Sequence, residues 1–429
     1  MERQLFILLV TTVSLALTTK NDIYSRNSVH GIKLRRQSDL KVLADLESEL
    51  DLDIWQDGMP SARDAMVMST PANEEAFLAA LDQEGLEHYL EIGDVAKFLD
   101  KQDENLSKWR MARGPRMVFD DFPRYAEILA YMERIAAQYP NKTTLVTAGQ
   151  SYEGRPIKYL KISTTNFEDR SKPIYFMDAM IHAREWVAAP VTLYTIFRLV
   201  EDLKSEEEDL LEDIDWIIMP VVNPDGYEFT HTNERLWRKT RSPIPASDCI
   251  GVDANRNFDK AFNTAGVSDN PCALTFPGTN PFSEVEIVYV RDIMHQYLDR
   301  IQLYLNIHSH GNYVLFGYGD TSLPANAFHV HQVAAAMGAA MDVVKLPQAN
   351  FYLVGNSGSV LYRTSGSAQD YGQHIGIPFS YTLELPGYGS QFAPSPEYIN
   401  HINEETWRGI SISAGLSRSY YKARHNVYK

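Results

Sequence analysis

The stretch IHAREWVAAP, residues 181–190, sets His182 and Glu185 three positions apart, and both side chain types ligate divalent metal. Alone, the pair is weak evidence and reads more readily as charge on a solvated turn. A catalytic zinc takes about three protein ligands and keeps a position open for water, so a third donor must come from elsewhere. His308 ends the apolar run LYLNIHS; by itself such a residue is more often a structural histidine than a ligand. Water activated by such a metal attacks near neutral pH once a carboxylate beside it takes the proton. Glu384, between Leu383 and Leu385 in YTLELPG, closes a further apolar run, where a carboxylate is costly without a charged partner or a chemical task. Arg238 in LWRKTRS, and Asn255 beside Arg256 in GVDANRNFD with Asp253 two residues earlier, add guanidinium and amide donors. Such a fork suits a carboxylate held by two hydrogen bonds. Singly, each arginine reads as a surface residue.

Positioning these residues together needs a sheet. Beyond Phe119 the chain alternates β-branched runs with helical patterns: PIYFMDAMIH, VAAPVTLYTIFRLVEDL, DWIIMPVVN, IQLYLNIHS and PFSYTLEL. Near-continuous apolar strands imply a sheet covered on both faces by helices, an α/β domain of about 300 residues. Ligands in such sheets gather outside the carboxyl ends of the strands. His182 follows one such strand, Glu185 precedes a helix, and His308 and Glu384 end two further strands.

The preceding region has a different texture. Residues 29–93 alternate short strands (VHGIKLR, LDLDIW, ARDAMVMS, EHYLEIG) with short helices (SDLKVLADLESE, NEEAFLAALDQEG), a small α+β unit. Residues 94–116 read as a charged helix running into Arg110, Arg113 and Arg116 around Gly114-Pro115. That pattern fits an exposed segment cut by a trypsin-like protease, or an ordinary linker.

The opening MERQLFILLVTTVSLALTTK has a polar start, an apolar stretch from Leu5 to Leu17 and small residues behind it, the layout of a signal peptide over residues 1–19. The stretch is too short to span a bilayer, which takes about 20 apolar residues. A secreted, extracellular protein meets oxidising conditions, so the only two cysteines, Cys249 and Cys272, are expected to pair. The sequons at Asn105 and Asn141 suit the same compartment. A formal net charge of −16 argues against a phosphate-gripping surface and hence against nucleic acid as a partner. The acidic run Glu206 to Asp209 reads as a solvated loop.

HAREW, NPDGYEFTH, LWRKTRS, CIGVDANRNFD, HSHG and YTLEL, in this order, resemble the zinc metallocarboxypeptidases of the pancreatic carboxypeptidase A and B type, with residues 29–109 similar to the inhibitory propeptide of that family. The resemblance implies an α/β fold with a mixed, mostly parallel sheet, behind a small α+β open-sandwich propeptide, with the catalytic domain over residues 117–429. It implies one Zn²⁺ per chain on His182, Glu185 and His308. It makes Glu384 the base and Arg238 the oxyanion stabiliser. Asn255 and Arg256 match the pair that grips the substrate's C-terminal carboxylate, Arg184 a secondary peptide binder, and Tyr362 the tyrosine that closes over the substrate. Cys249–Cys272 matches the family disulfide. The implied protein is a monomeric zymogen, without a membrane partner, that acts on peptide or protein C-termini after cleavage by a trypsin-like protease. A non-catalytic secreted binding protein on the same fold is the alternative from another class, and an amidoacid deacylase a third.

Two positions depart from the family pattern. His310 stands where an aromatic residue is usual and is expected to line an outer subsite. Gln369 falls at the specificity position, where an aliphatic residue accompanies A-type and an aspartate B-type cleavage of Lys or Arg. With this register Asn306, Gly319, Ser357 and Thr382 are expected around an uncharged polar pocket for neutral C-terminal residues; a one-residue slip would substitute Asp370 and give the B type.

Overall fold

The computed structural model describes residues 19–112, 114, 117–389, 391–392 and 394–426. The expected signal segment, apart from Thr19, lies outside the described residues, as do Arg113 and Arg116.

The first unit runs β1 (Ser28–Ile32), α1 (Gln37–Leu50), β2 (Asp53–Gln56), β3 (Ala65–Ser69), α2 (Glu74–Glu84) and β4 (His88–Ile92), its antiparallel sheet ordered β2-β3-β1-β4. Strand alternation sorts its side chains onto two faces. Ile32, Ala65 and Val67 pack with Leu43, Leu46, Phe77 and Leu81 of the two helices. Val29, Trp55 and Met68 form the opposite layer, with Leu99 of α3 (Val95–Ala112) and with Leu236 and Phe392 of the second unit. One face of the sheet is thus its own core; the other is a seam.

The second unit holds an eight-stranded sheet. Its elements are α4 (Tyr125–Gln138), β5 (Thr143–Gln150), β6 (Pro156–Ile162), β7 (Ile174–Ala179), α5 (Ala188–Val200), α6 (Asp209–Glu212), β8 (Asp215–Met219) and α7 (Pro224–Thr232). There follow α8 (Val285–Gln296), β9 (Ile301–Ser309), β10 (Tyr313–Phe316), α9 (Ala327–Asp342), β11 (Leu353–Asn356), α10 (Ser357–Val360), α11 (Ala368–Ile375), β12 (Phe379–Leu385) and α12 (Ile399–Asn426). The order is β11-β10-β12-β9-β7-β8-β6-β5, mixed, with β12, β9, β7 and β8 parallel at its centre. Leu303, Leu305, Ile307, Leu383 and Leu385 share a core with residues of α5, α9 and α12. Ile301, Tyr304, Phe176 and Ile217 face α8 and α11 across the sheet. Helices therefore cover both faces, as the apolar strands require.

Cys249 and Cys272 are bonded across 23 positions, a closure that contributes about 3 kcal/mol in the chain-entropy model. No helix among the described residues is long and apolar enough to cross a membrane.

The connection between the units is the helix α3. Near its end Arg110 donates from Nε to Asp121 Oδ2 at 2.8 Å, and from Nη2 to Asp121 Oδ1 at 3.2 Å and Phe122 O at 3.0 Å. A protease binds its substrate as extended chain, so an arginine inside a helix and paired in this way is a poor site. Brief trypsin treatment is expected to cut after Arg113 or Arg116, leaving a new N-terminus at Gly114 or Met117. Terminal sequencing that finds Met111 would refute this.

Candidate active site and metal centre

Three donors converge beyond the carboxyl ends of β7 and β9. His182 and Glu185 occupy the turn from β7 into α5, and His308 is the penultimate residue of β9. His182 Nδ1 lies 2.8 Å from Glu185 Oε1, His308 Nδ1 lies 3.0 Å from Glu185 Oε2, and the two Nδ1 atoms are 3.1 Å apart. All three side chains are buried. Two imidazole nitrogens and a carboxylate that all face one point form the His₂Glu set of a catalytic zinc, and their mutual approach suits a shared cation.

The outer contacts fix which nitrogen faces that point. His182 Nε2 lies 3.0 Å from Asp253 Oδ1, so it carries the proton and leaves the Nδ1 lone pair toward the cluster. Burial, reinforced by Arg238, lowers the affinity of His182 for a second proton and favours the neutral, ligating ring. Burial alone would raise Glu185, but the two histidines outweigh it and hold the carboxyl well below its usual range. The second oxygen of Asp253 accepts from Arg238 Nε and Nη2, at 3.1 and 2.8 Å. Asp253 thus orients one metal-type histidine and one cleft arginine at once, a role the sequence alone did not suggest. The available signal was an acid in the run GVDAN, two residues before the Asn255-Arg256 pair.

Glu384 is brought to the cluster by strand register: parallel pairing of β12 with β9 sets Glu384 opposite His308. Burial raises its carboxyl well above the ordinary range. A carboxylate that holds a proton this readily is suited to taking one from water and returning it.

Around this centre, Arg184, Arg238, Asn255, Arg256, Tyr362, Gln369 and Thr382 line one cavity with His182, Glu185 and Glu384. Arg256 Nη2 approaches the Tyr362 hydroxyl at 3.2 Å, and Asn255 Oδ1 accepts the Ala368 N–H at 2.8 Å. The Thr382 hydroxyl donates to Gln369 Oε1 at 3.0 Å. Ser357 also lines the cavity, whereas two residues expected there do not. Asn306 is turned beneath His308, and Gly319 gives its N–H to Asp370 Oδ2 at 2.7 Å. That bond turns the Asp370 carboxylate away from the cavity, and burial raises it to about 6. His310 lines the cavity, its ring on Phe392 at 4.9 Å, and is not one of the three donors.

The first unit closes this cleft. Asp53 accepts from Arg184 Nη1 and Nη2 at 2.6 and 2.9 Å, both groups buried. Trp55 meets the Phe392 ring at 5.8 Å. Asp57 lies in the same cavity, and burial raises it to about 6 in spite of Arg256 and Arg238.

Residues 128–409 match the family model described as zinc carboxypeptidase, and residues 31–102 match the carboxypeptidase activation peptide. The chain is 41% identical over 420 residues to a carboxypeptidase B of Helicoverpa zea, covering 95% of this chain and 97% of that one. It is 33% identical to mouse carboxypeptidase A2 over 87% of this chain and 89% of that protein. The crystal structure of carboxypeptidase A from Helicoverpa armigera superposes with a TM-score of 0.89 at 40% identity, covering 92% and 98% of the two chains.

The geometry predicts one strongly bound Zn²⁺ per chain, read by metal analysis of dialysed protein. His308→Gln, which keeps hydrogen-bonding capacity but deletes the imidazole donor, should release most of it; a variant that retains a full equivalent would remove His308 from the ligand set.

Proposed function

Because this chain belongs to the zinc carboxypeptidase family and carries that family's activation peptide ahead of the catalytic fold, we propose that it is a secreted zymogen whose mature form releases single neutral residues from peptide C-termini. Zn²⁺ held by His182, Glu185 and His308 would supply a Lewis acid and lower the pKa of attacking water. Arg256, with Asn255 and Tyr362, grips the terminal carboxylate, and reading that charge makes the enzyme an exopeptidase. Glu384 takes the proton of the attacking water and hands one to the leaving amine. Arg238 stabilises the negative charge that develops on the scissile carbonyl oxygen, and Asp253 keeps its guanidinium in place.

The neutral preference rests on one observation: Gln369 lines the cavity while the adjacent Asp370 is bonded to the Gly319 backbone. A pocket walled by Gln369, Thr382 and Ser357 offers no anion to a Lys or Arg side chain, whose desolvation would go uncompensated. Amide and apolar side chains enter at smaller cost. The relative from Helicoverpa zea is named for B-type activity, so cleavage of Lys and Arg is the reading against which this one is tested.

Latency follows from the same cavity. Asp53 occupies Arg184, and Trp55 and Asp57 fill the approach to Arg238 and Arg256. The prosegment therefore supplies the carboxylates that a substrate would otherwise bring.

Three outcomes are expected. In competition, trypsin-activated enzyme should release Phe, Leu and Gln ahead of Lys and Arg, and Gln369→Asp should raise kcat/KM for Lys and Arg relative to Phe; a wild-type preference for Arg would overturn the assignment of Gln369. Glu384→Gln should keep the zinc yet lose roughly 10²–10⁴-fold in kcat. In the uncut chain, Asp53→Asn should raise basal peptidase activity by roughly tenfold, because it leaves Arg184 unpaired at a buried seam, while the activated enzyme stays unchanged.

A further inference from the structure

Asp178 is a fully buried carboxylate on β7 that forms no ion pair among the described residues. Its Oδ2 accepts the Tyr304 hydroxyl at 2.8 Å, and its Oδ1 accepts Nδ2 of Asn306 at 2.5 Å. Strand register puts these groups together: β7 and β9 pair in parallel with Phe176 opposite Tyr304 and Asp178 opposite Asn306. The other end of the Asn306 amide, Oδ1, contacts Nε2 of His308. Asp178, Asn306 and His308 are each at most 1% exposed.

Distance decides the donors and acceptors of this chain: Asn306 Oδ1 is closer to His308 Nε2 than is Asn255 Nδ2, which lies 3.4 Å away. A carboxylate accepts, so the Asn306 NH₂ must face Asp178 and its carbonyl must face His308. An amide carbonyl also only accepts, so His308 Nε2 carries the ring proton and Nδ1 presents its lone pair toward Glu185 and His182. His182 is set in the same sense by direct contact with Asp253. Burying an anion without a cation is unfavourable, and this chain of contacts joins the Asp178 carboxyl to the ring of His308.

We propose that Asp178 and Asn306 are positioning residues for the metal: a second carboxylate chain, relayed by an amide, that fixes the tautomer and orientation of His308 and strengthens its hold on the cation. This rests on the assignment of His308 as a ligand. Metal-ligating histidines gain affinity from such partners, and removing one typically costs 10–100-fold.

The test uses trypsin-activated enzyme and measures the zinc dissociation constant by chelator competition, together with the visible spectrum of the Co²⁺-substituted form. Asp178→Asn keeps shape and removes the charge; Asn306→Leu keeps volume and removes the relay. Each should weaken zinc binding about 10–100-fold and shift the cobalt bands. The double variant should be no weaker than the worse single variant, since two links in series fail together. Zinc affinity within twofold of wild type in both single variants, or losses that add in the double variant, would overturn the chain. If Asp178→Asn does not fold, Asn306→Leu alone decides by the same criterion. His308→Gln serves as the reference: if it keeps its zinc, the ligand assignment fails, whereas an Asn306→Leu enzyme of normal affinity beside a metal-free His308→Gln enzyme sinks only the relay.

Discussion

Parallel strands β12, β9 and β7 are held in a register in which Glu384 stands beside His308, and Asn306 between Thr382 and Asp178. Alternation along β9 sends Leu303, Leu305 and Ile307 into the core under α5 and α12, and therefore sends Tyr304, Asn306 and His308 to the other face. Shifting β9 by one residue would bury His308 among leucines and turn Ile307 toward the cleft. The apolar face thus does the aiming. Every leucine that packs under α12 also fixes the direction of a polar residue one position away, so core stability and site geometry cannot vary separately.

The second constraint is electrostatic. A cleft that recognises a carboxylate must hold guanidinium groups ready and incompletely paired, yet Arg184 and Arg256 are nearly closed to solvent. In the uncut chain Asp53 completes the pairing of Arg184, while Asp57 lies in the cavity beside Arg238 and Arg256. On the proposed reading, inhibition and recognition are one interaction with two donors of negative charge. The seam is also apolar, with Trp55 and Val29 joining Leu236 and Phe392, so cutting the connecting segment alone leaves a packed interface behind.

Much of this was legible in the sequence because it is local. Strand and helix periods located all four strands of the first unit, and the strand-end positions of His182, His308 and Glu384 brought them to one edge. What stayed hidden was pairing over long separations. Asp253 lies 71 positions from His182, and Asp53 lies 131 from Arg184. Asn306 was expected at the specificity pocket; the register instead couples it to Asp178, whose partner no pattern within its own strand reveals. Asp178 in the run IYFMDAMI resembles Glu384 in YTLEL: both are acids where an apolar strand has no ordinary use for one. The same cost argument, applied to both, would have marked both.

On the proposed reading, strength and selectivity come from different groups. The terminal carboxylate common to all substrates meets Arg256 and Asn255, charge-assisted contacts roughly twice as strong as neutral ones. These contacts cannot tell one C-terminal residue from another. Discrimination falls to the walls contributed by Gln369, Thr382 and Ser357, where one methylene more or less is worth only about 1–3 kcal/mol. Gln369 is further restrained, since its side-chain oxygen already accepts from Thr382. A wall of this kind separates charged from neutral side chains sharply, because desolvating an ammonium or guanidinium has no compensation there, but it separates neutral ones only gradually. On that reading the pocket favours an enzyme broad within its class and exclusive at its edge.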